Sequence, residues 1–351
     1  MSPIESDDQW QVAAPDSVGI DGAKLCALVP TFEESKEANL HGVVVVRHGK
    51  LAFEHYFRGY DLKAPNGPAT IDFDRTTGHD LRSATKSITA LVLGAAIDRG
   101  MITDVNESVL SFFPDYADLR TPEKDQITIR DLLTMSMGLD WNDDAPYTNE
   151  NTMNASIEPY RYVLSLGVVQ PAGRVWNYSG GATALIGAFL VARPASASMS
   201  SPRHSSSTRW ASPMSRGHAF ETATPRTGAA CGSGRATWRK SANSVLNRGQ
   251  WNGARVVSES WITAATAPQI KTIYSGYYGY QFWLGASSVS GRRIDWVAAQ
   301  GQGGQRIFVV PSLDVVAVVT AGNYYGNDRL ASLVPQTVLD EYVLPSVDPA
   351  R

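Results

Sequence analysis

The sequence has 351 residues, 43% hydrophobic and 19% charged, so it can bury a sizeable core and is not disordered as a whole. Its 31 basic and 34 acidic side chains give a net charge of −3, which excludes a dense positive patch for nucleic acid. The longest apolar stretch, 88–97, is too short to span a bilayer, and the acidic N-terminus does not resemble a signal peptide. We therefore expect a soluble, cytoplasmic protein with no nucleic-acid or membrane partner.

Cysteines and histidines limit the metal and disulfide chemistry of the chain. Cys26 and Cys231 are too few for a disulfide framework or a cysteine-ligated zinc site. The six histidines show no metal-ligand spacing. They are His41, His48, His55, His79, His204 and His218. The sequence therefore predicts neither a metal site nor another cofactor.

Two segments near the N-terminus have clear periodicity. Residues 43–47 and 51–57 are β-branched or aromatic runs around a tight turn, which predicts a β-hairpin. From Ser83 onward apolar residues recur at helical spacing until Gly100, a typical helix stop. A helix is therefore predicted to begin near Ser83.

The rest of the chain indicates helices followed by strands. Residues 128–133 have a helical pattern, and another helix is predicted to begin after Tyr178. Residues 306–310 and 315–320 form a second predicted hairpin, followed by an amphipathic helix over 328–342. Strands at both ends with helices between them indicate an α+β chain whose terminal strands share one sheet.

Between residues 192 and 244 the composition changes. This stretch is rich in Ser, Arg, Ala, Pro and Thr and has no apolar period, which is typical of a disordered insertion. If G- and C-rich codons are assumed, translating 194–215 and 230–241 from the third base of each codon gives amino-acid sequences that are typical of helices. We therefore hypothesise a compensated pair of frameshifts, which resequencing tests. The residues as written are expected to be poorly ordered and to have no functional role.

Residues 83–86 form a Ser-x-x-Lys motif. On a helix, a hydroxyl and an amine three residues apart lie on the same face, and the helix N-terminus favours developing negative charge on Ser83. In a poorly hydrated cleft, Lys86 is expected to have a lowered pKa and to accept the serine proton. The alternative is an N-cap serine with a solvated first-turn lysine.

Two further segments have the composition of catalytic elements. Residues 176–181 place Tyr178 on a turn before an apolar helix, where the phenol can relay a proton; a buried aromatic is the alternative. Residues 299–305 contain three glycines before a predicted strand. They permit close backbone approach to a ligand and leave an N–H for an oxyanion; a glycine-rich hairpin turn is the alternative.

In this order and spacing, the three motifs resemble those of the serine β-lactamase and penicillin-binding protein superfamily, especially its class C-like esterases and aminohexanoate-oligomer hydrolases. The resemblance covers most of the chain outside 192–244. It implies a β-lactamase/transpeptidase-like α+β fold, with an antiparallel sheet from both termini flanked by helices and an all-helical subdomain. We expect a single catalytic unit over 1–351, with an α/β part at 1–82 and 245–351 and a helical part at 83–244.

The resemblance also implies roles for individual residues. Ser83 corresponds to the acylated nucleophile, Lys86 to its base, and Tyr178 to the tyrosine of the Tyr-x-Asn element. The amide of Gln302 joins that of Ser83 in the oxyanion hole.

At two positions the chain departs from the family pattern. Gly180 stands where the tyrosine motif has Asn, and Ala299 stands where the last motif has Lys or His. In relatives that recognise β-lactams, those side chains hold the acylamino group and the substrate carboxylate. Their loss argues against antibiotic hydrolysis and peptidoglycan chemistry.

Candidate substrate-binding residues flank these motifs. The loop 140–147 is acidic and aromatic, which suits a substrate ammonium or an acyl pocket, although a solvated loop is the alternative. The candidates are Asp143, Tyr147, Ser179, Gly301 and Gly303.

The expected function is hydrolysis of a small carboxylic ester or amide by a carboxylesterase or a linear or cyclic amide hydrolase. Three alternatives remain open: a non-catalytic binding or sensor protein of the same fold, a β-lactamase or D-peptidase, and an inactive product of a damaged gene. The sequence leaves the physiological substrate and the oligomeric state undetermined.

Overall fold

A computed structural model describes residues 11–348 except 36, 63, 65, 144–147, 193–243, 275 and 325–327. The anomalous stretch 192–244 therefore lies almost entirely outside the described residues, as does the predicted binding residue Tyr147. The chain divides into two compact units. The first unit contains 1–85, 232–253 and 282–351, and the second contains 86–231 and 254–281. The second unit thus takes in 254–281, which the predicted domain division assigned to the α/β part.

The strands are β1 Leu40–Arg47, β2 Lys50–Tyr56, β3 Arg58–Asp61, β4 Ala69–Asp72, β5 Gln250–Trp251, β6 Ala254–Arg255, β7 Ile270–Lys271, β8 Tyr277–Tyr278, β9 Trp283–Val289, β10 Arg292–Gly301, β11 Gln305–Val310 and β12 Val315–Ala321. The α-helices are α1 Gly22–Cys26, α2 Leu28–Glu34, α3 Thr85–Asp98, α4 Ile129–Leu133, α5 Asn149–Ala155, α6 Pro159–Ser165, α7 Gly180–Ala192, α8 Glu259–Ala265, α9 Asp328–Thr337 and α10 Leu344–Ser346. The 3-10 helices are Pro15–Val18, Arg82–Ala84, Val109–Phe112, Pro114–Leu119, Lys124–Gln126 and Pro311–Leu313.

The first unit is built on an antiparallel sheet. Its strands pair in the order β2-β1-β12-β11-β10-β9, so a strand from the N-terminal part lies directly beside one from the C-terminal part. The valines 43–46 are β-branched and buried, and Val43 and Val45 pack into a core with Phe53, Phe308 and Val338. Both predicted hairpins and the shared terminal sheet are confirmed.

The C-terminal helix differs from the prediction in its second half. An amphipathic helix was expected over 328–342, but α9 ends at Thr337 and a π-helix follows over Val338–Val343. Pro335 lies inside α9 and has no backbone N–H to donate, so the regular hydrogen-bond ladder cannot continue through it. The changed helical pitch after the proline is a consequence of this interruption.

The second unit consists mainly of helices. The predicted helix near 128–133 is confirmed as α4, and Thr128 and Asp131 form a capping box at its start. The predicted helix after Tyr178 is confirmed as α7. The helix that was expected to begin near Ser83 is confirmed as α3, which begins at Thr85 directly after the 3-10 turn Arg82–Ala84. No described helix is both long and apolar enough to cross a membrane.

Gly138 gives a test of how tightly this unit is packed. Its φ is +74°, and a Cβ there would lie 2.1 Å from the Gln170 carbonyl oxygen. Gly100 has a similar φ of +67° but has nothing within 4 Å of the corresponding position. Gly100→Ala is therefore expected to cost only the left-handed strain, about 1 kcal/mol. Gly138→Ala should cost at least about 2 kcal/mol more, because the backbone must move.

Urea denaturation of both variants measures this difference. Because the two glycines share the same backbone conformation, Gly100→Ala is the matched control for strain. Equal loss of unfolding free energy in the two variants would contradict the packing at Gly138.

Candidate active site

Ser83 lies in the 3-10 turn Arg82–Ala84, which leads directly into α3. Arg82 has φ +52°, a left-handed conformation that is uncommon for a residue other than glycine. Asp80 holds this conformation, since its Oδ1 accepts the Arg82 N–H at 2.9 Å and its Oδ2 lies 3.6 Å from Arg82 Nη1. Strained backbone next to a candidate nucleophile is typical of functional turns, where the surrounding contacts over-determine the geometry.

Within the same unit, the glycine-rich turn after β10 lies against the chain that precedes Ser83. Gln302 Oε1 accepts a hydrogen bond from Arg82 Nη2 at 2.7 Å. A Cβ at Gly301 would lie 2.2 Å from the Leu81 carbonyl oxygen, so only glycine permits this approach. Within the described part of the chain, no backbone carbonyl accepts the Gln302 N–H. The backbone of Gln302, the predicted oxyanion donor, thus lies beside the nucleophile turn.

Gln305 supports this turn from beneath, although sequence analysis gave it no role. Its side chain is fully buried, and Nε2 donates to the carbonyl oxygens of Ala321 at 2.6 Å and Gln302 at 3.3 Å. The Gly303 carbonyl accepts the Asn323 N–H at 3.0 Å. These bonds to β12 and to the residues after it fix the backbone of 302–303. The predicted binding residue Gly303 is part of this fixed segment.

Lys86 and Tyr178 lie together in the second unit. Lys86 is buried in α3, and its Nζ lies 5.2 Å from the centroid of the Tyr178 ring. Burial by itself lowers the pKa of Lys86, but the Tyr178 phenol and the carboxylates of Glu150 and Asp143 outweigh it and raise the pKa above its usual value. The expectation of a lowered pKa for Lys86 was therefore wrong. It considered desolvation alone and not the neighbouring anions, so Lys86 is an ammonium at neutral pH.

Gln281 aligns the two helices that carry these groups. It is buried with φ +62°, and its carbonyl oxygen accepts the Ser87 hydroxyl of α3 at 2.5 Å. Its side-chain Oε1 accepts the Thr183 hydroxyl of α7 at 2.8 Å, and Nε2 donates to the Leu132 carbonyl at 2.9 Å. Gln281 therefore ties α3, through its backbone carbonyl, to α4 and α7, through its side chain.

Glu150 belongs to the candidate site and was not singled out in the sequence. A Cβ at Gly180 would lie 2.9 Å from Glu150 Cδ and about as close to both carboxylate oxygens. The carboxylate therefore packs on the position where the family's tyrosine motif has Asn. Glu150 also contributes to the raised pKa of Lys86. Glu150 of α5 thus places a carboxylate against Gly180.

Asp143 and Ser179 have different surroundings. Burial raises the pKa of Asp143 and Glu150 adds to this, while Trp141 and Lys86 act in the opposite direction. Ser179 is fully buried, and its hydroxyl accepts the Ala182 N–H at 3.2 Å in the first turn of α7. This geometry favours a helix cap for Ser179, whereas Asp143 is near enough to Lys86 for each group to shift the pKa of the other.

Comparisons with known proteins give one fold family. A sequence profile described as Beta-lactamase matches residues 32–336. A penicillin-binding protein homologue from Caulobacter crescentus has 15% identity and a TM-score of 0.62, covering 94% of this chain and 99% of its own. A beta-lactamase/D-alanine carboxypeptidase from Pseudomonas syringae has 13% identity and a TM-score of 0.60, covering 90% and 98%. A candidate 6-aminohexanoate-dimer hydrolase from Bacillus anthracis has 14% identity and a TM-score of 0.60, and the match covers 97% of this chain and 89% of its own.

No curated protein shows a significant sequence match to this chain. At identities this low, the structural likeness establishes the fold alone. It confirms the predicted β-lactamase/transpeptidase-like α+β architecture.

Proposed function

Because the chain belongs to the beta-lactamase family, we propose that it is a serine hydrolase that cleaves a small carboxylic ester or amide through an acyl-enzyme on Ser83. The observation that carries the proposal is the contact between the buried Lys86 and the half-buried Tyr178 ring. Lys86 follows Ser83 by three residues in the same helical segment. A cation and a phenol at this position suit proton transfer to and from a serine hydroxyl.

In the proposed reaction, Ser83 Oγ forms a bond to the substrate carbonyl carbon, and its proton passes to the Lys86–Tyr178 pair. The oxyanion accepts hydrogen bonds from the amides of Ser83 and Gln302. When the tetrahedral intermediate collapses, the bond to the leaving group breaks and the pair returns the proton to the leaving oxygen or nitrogen. Water then attacks the acyl-enzyme by the same route, and the acid is released.

Gly180, Ala299 and Glu150 bear on the substrate. The first two lack the side chains that hold the acylamino group and the carboxylate of β-lactams in relatives, and Glu150 adds negative charge beside Gly180. A substrate carboxylate would be repelled there. A neutral ester or amide fits the site better than a β-lactam or a peptidoglycan stem peptide.

The proposal is tested by mass spectrometry of the intact protein with and without a fluorophosphonate serine probe, followed by peptide mapping. We expect one adduct, on Ser83, and hydrolysis of short p-nitrophenyl esters or anilides without turnover of a chromogenic cephalosporin. An unlabelled protein that still melts cooperatively would contradict the proposal and favour a non-catalytic binding or sensor protein. The same peptides report which reading frame the residues between 192 and 244 follow.

The raised pKa of Lys86 predicts how the rate of labelling depends on pH. Since the pair must lose a proton before it can accept one from Ser83, labelling should accelerate from neutral to alkaline pH. Glu150→Gln removes one of the anions that raise the pKa of Lys86, so its alkaline limb should lie at lower pH than that of the wild type.

Second-order labelling rates across the pH range measure this shift. Glu158→Gln, at the start of α6, is the matched control, because Glu158 is not among the groups that shift the pKa of Lys86. A limb that stays in place, or moves to higher pH, in Glu150→Gln would show that Glu150 does not set the protonation of the pair.

A further inference from the structure

Three buried residues of the first unit form a cluster that the proposed reaction does not use. His41 on β1, Asp61 on β3 and His79 before the nucleophile turn are 0%, 2% and 2% exposed. One ligand atom from each lies within 4.8 Å of the other two. Among the described residues, this is the group of histidine and carboxylate side chains whose spacing suits a metal ion.

The hydrogen bonds of His41 and His79 fix where their protons lie. His41 Nε2 is 3.2 Å from both Asn39 Oδ1 and the Tyr60 carbonyl oxygen, and His79 Nδ1 is 3.2 Å from the Asp80 carbonyl oxygen. The Asn39 amide is oriented by two bonds to Tyr60, one donated by its Nδ2 and one accepted by its Oδ1. All three partners are acceptors, so each outer ring nitrogen must carry a proton.

Two neutral imidazoles have two protons in total, and both are used on the outer nitrogens. The inner nitrogens, His41 Nδ1 and His79 Nε2, are only 2.8 Å apart. Two lone pairs at this distance repel each other unless a cation lies between or beside them. A carboxylate oxygen of the buried Asp61 lies within 4.8 Å of both inner nitrogens, at a distance that lets all three atoms contact one ion.

We propose that His41 Nδ1, His79 Nε2 and a carboxylate oxygen of Asp61 bind a divalent transition-metal ion, for which zinc is the expected occupant. Histidines that bind metals almost always donate their other N–H to a carbonyl or carboxylate oxygen, as both histidines do here. Imidazole nitrogen with carboxylate oxygen is a donor set that zinc accepts. Ligand atoms around tetrahedral zinc lie about 3.3 Å apart, so the two rings need to separate by roughly half an ångström.

A cavity adjoins the residues that accept hydrogen bonds from His41. Asn39 and Tyr60, which accept from His41, line a cavity of about 1040 Å³. A metal ion would join β1 and β3 to the segment at His79, four residues before Ser83. The ion is therefore expected to stabilise the first unit and not to take part in the bond-breaking steps.

The test uses the full chain, stripped with EDTA and then titrated with ZnCl₂ or CoCl₂. Native mass spectrometry should show one zinc ion per chain, and zinc should raise the melting temperature. Cobalt bound to the wild type should give the visible absorption bands of a tetrahedral site. This measurement does not depend on whether any variant folds. His79→Gln and Asp61→Asn should lose the ion, whereas His48→Gln, at the exposed β1–β2 turn, should keep it.

Two results would overturn the proposal. One is a cooperatively melting wild type that binds neither zinc nor cobalt, in which case the inner nitrogens share a third proton. The other is folded His79→Gln and Asp61→Asn proteins that keep the ion. Labelling of Ser83 is read separately, so failure of the metal site and failure of the hydrolase proposal can be told apart.

Discussion

Ser83→Ala is expected to abolish fluorophosphonate labelling and to reduce ester turnover by at least about 10³-fold, without preventing folding. The bond to the acyl group forms on Ser83 Oγ, and no step of the proposed reaction proceeds without it. The turn itself is held by Asp80 and by the Arg82–Gln302 bond, neither of which needs the serine hydroxyl. Initial rates, intact mass and a thermal melt measure the three quantities.

Ser111→Ala is the matched control for this variant. Its exposed hydroxyl donates to the Ser108 carbonyl in the 3-10 helix Val109–Phe112, so labelling and turnover should match the wild type. Turnover retained by Ser83→Ala would refute the nucleophile. Loss of the cooperative melt in the wild type would instead indicate a damaged gene product.

Lys86→Met should have the second large effect, on turnover and on stability together. Without the ammonium, the serine proton has no route through the pair, and we expect turnover to fall by about 10³-fold or more. Removal also leaves the half-buried carboxylates of Glu150 and Asp143 without the ammonium that interacts with them. We expect the unfolding free energy at neutral pH to drop by about 1–3 kcal/mol, less than for a fully buried ion pair.

The pH dependence of this loss has a definite sign. The pKa of Asp143 is already raised, first by burial and then by Glu150, and Lys86 opposes the rise. In Lys86→Met it should rise further. A carboxyl whose pKa is higher in the folded state favours folding at low pH, and the benefit disappears as the pH rises through that pKa.

The deficit of Lys86→Met relative to the wild type should therefore be smaller at acidic than at neutral pH. Urea denaturation at several pH values measures it, with the exposed Lys24→Met in α1 as control. A deficit that is constant with pH would contradict the account of Lys86 and its two carboxylates.

Features carried by local sequence were predictable. The β-branched runs of β1 and β12, the helical spacing of α3 and α7, and the order of the Ser83, Tyr178 and 299–305 motifs depend on neighbours a few residues away. Their spacing also indicated the fold, because the motifs occur in a fixed order along the chain. The change of helix type after Thr337 was not predicted, because the apolar periodicity continues past Pro335 and does not show the missing N–H of the proline.

Features made by contacts between distant segments were decided only by the tertiary structure. The pKa of Lys86 rises because of Tyr178, Glu150 and Asp143, which are 57 to 92 residues further along the chain. Glu150 packs on Gly180 by the same kind of contact.

His41, Asp61 and His79 are separated by 20 and 18 residues, so no metal-ligand spacing connects them in the sequence. In the fold, one ligand atom of each residue lies within 4.8 Å of those of the other two. Periodicity reports which face of an element is buried, whereas the charge and protonation of a buried site depend on which elements the fold brings together.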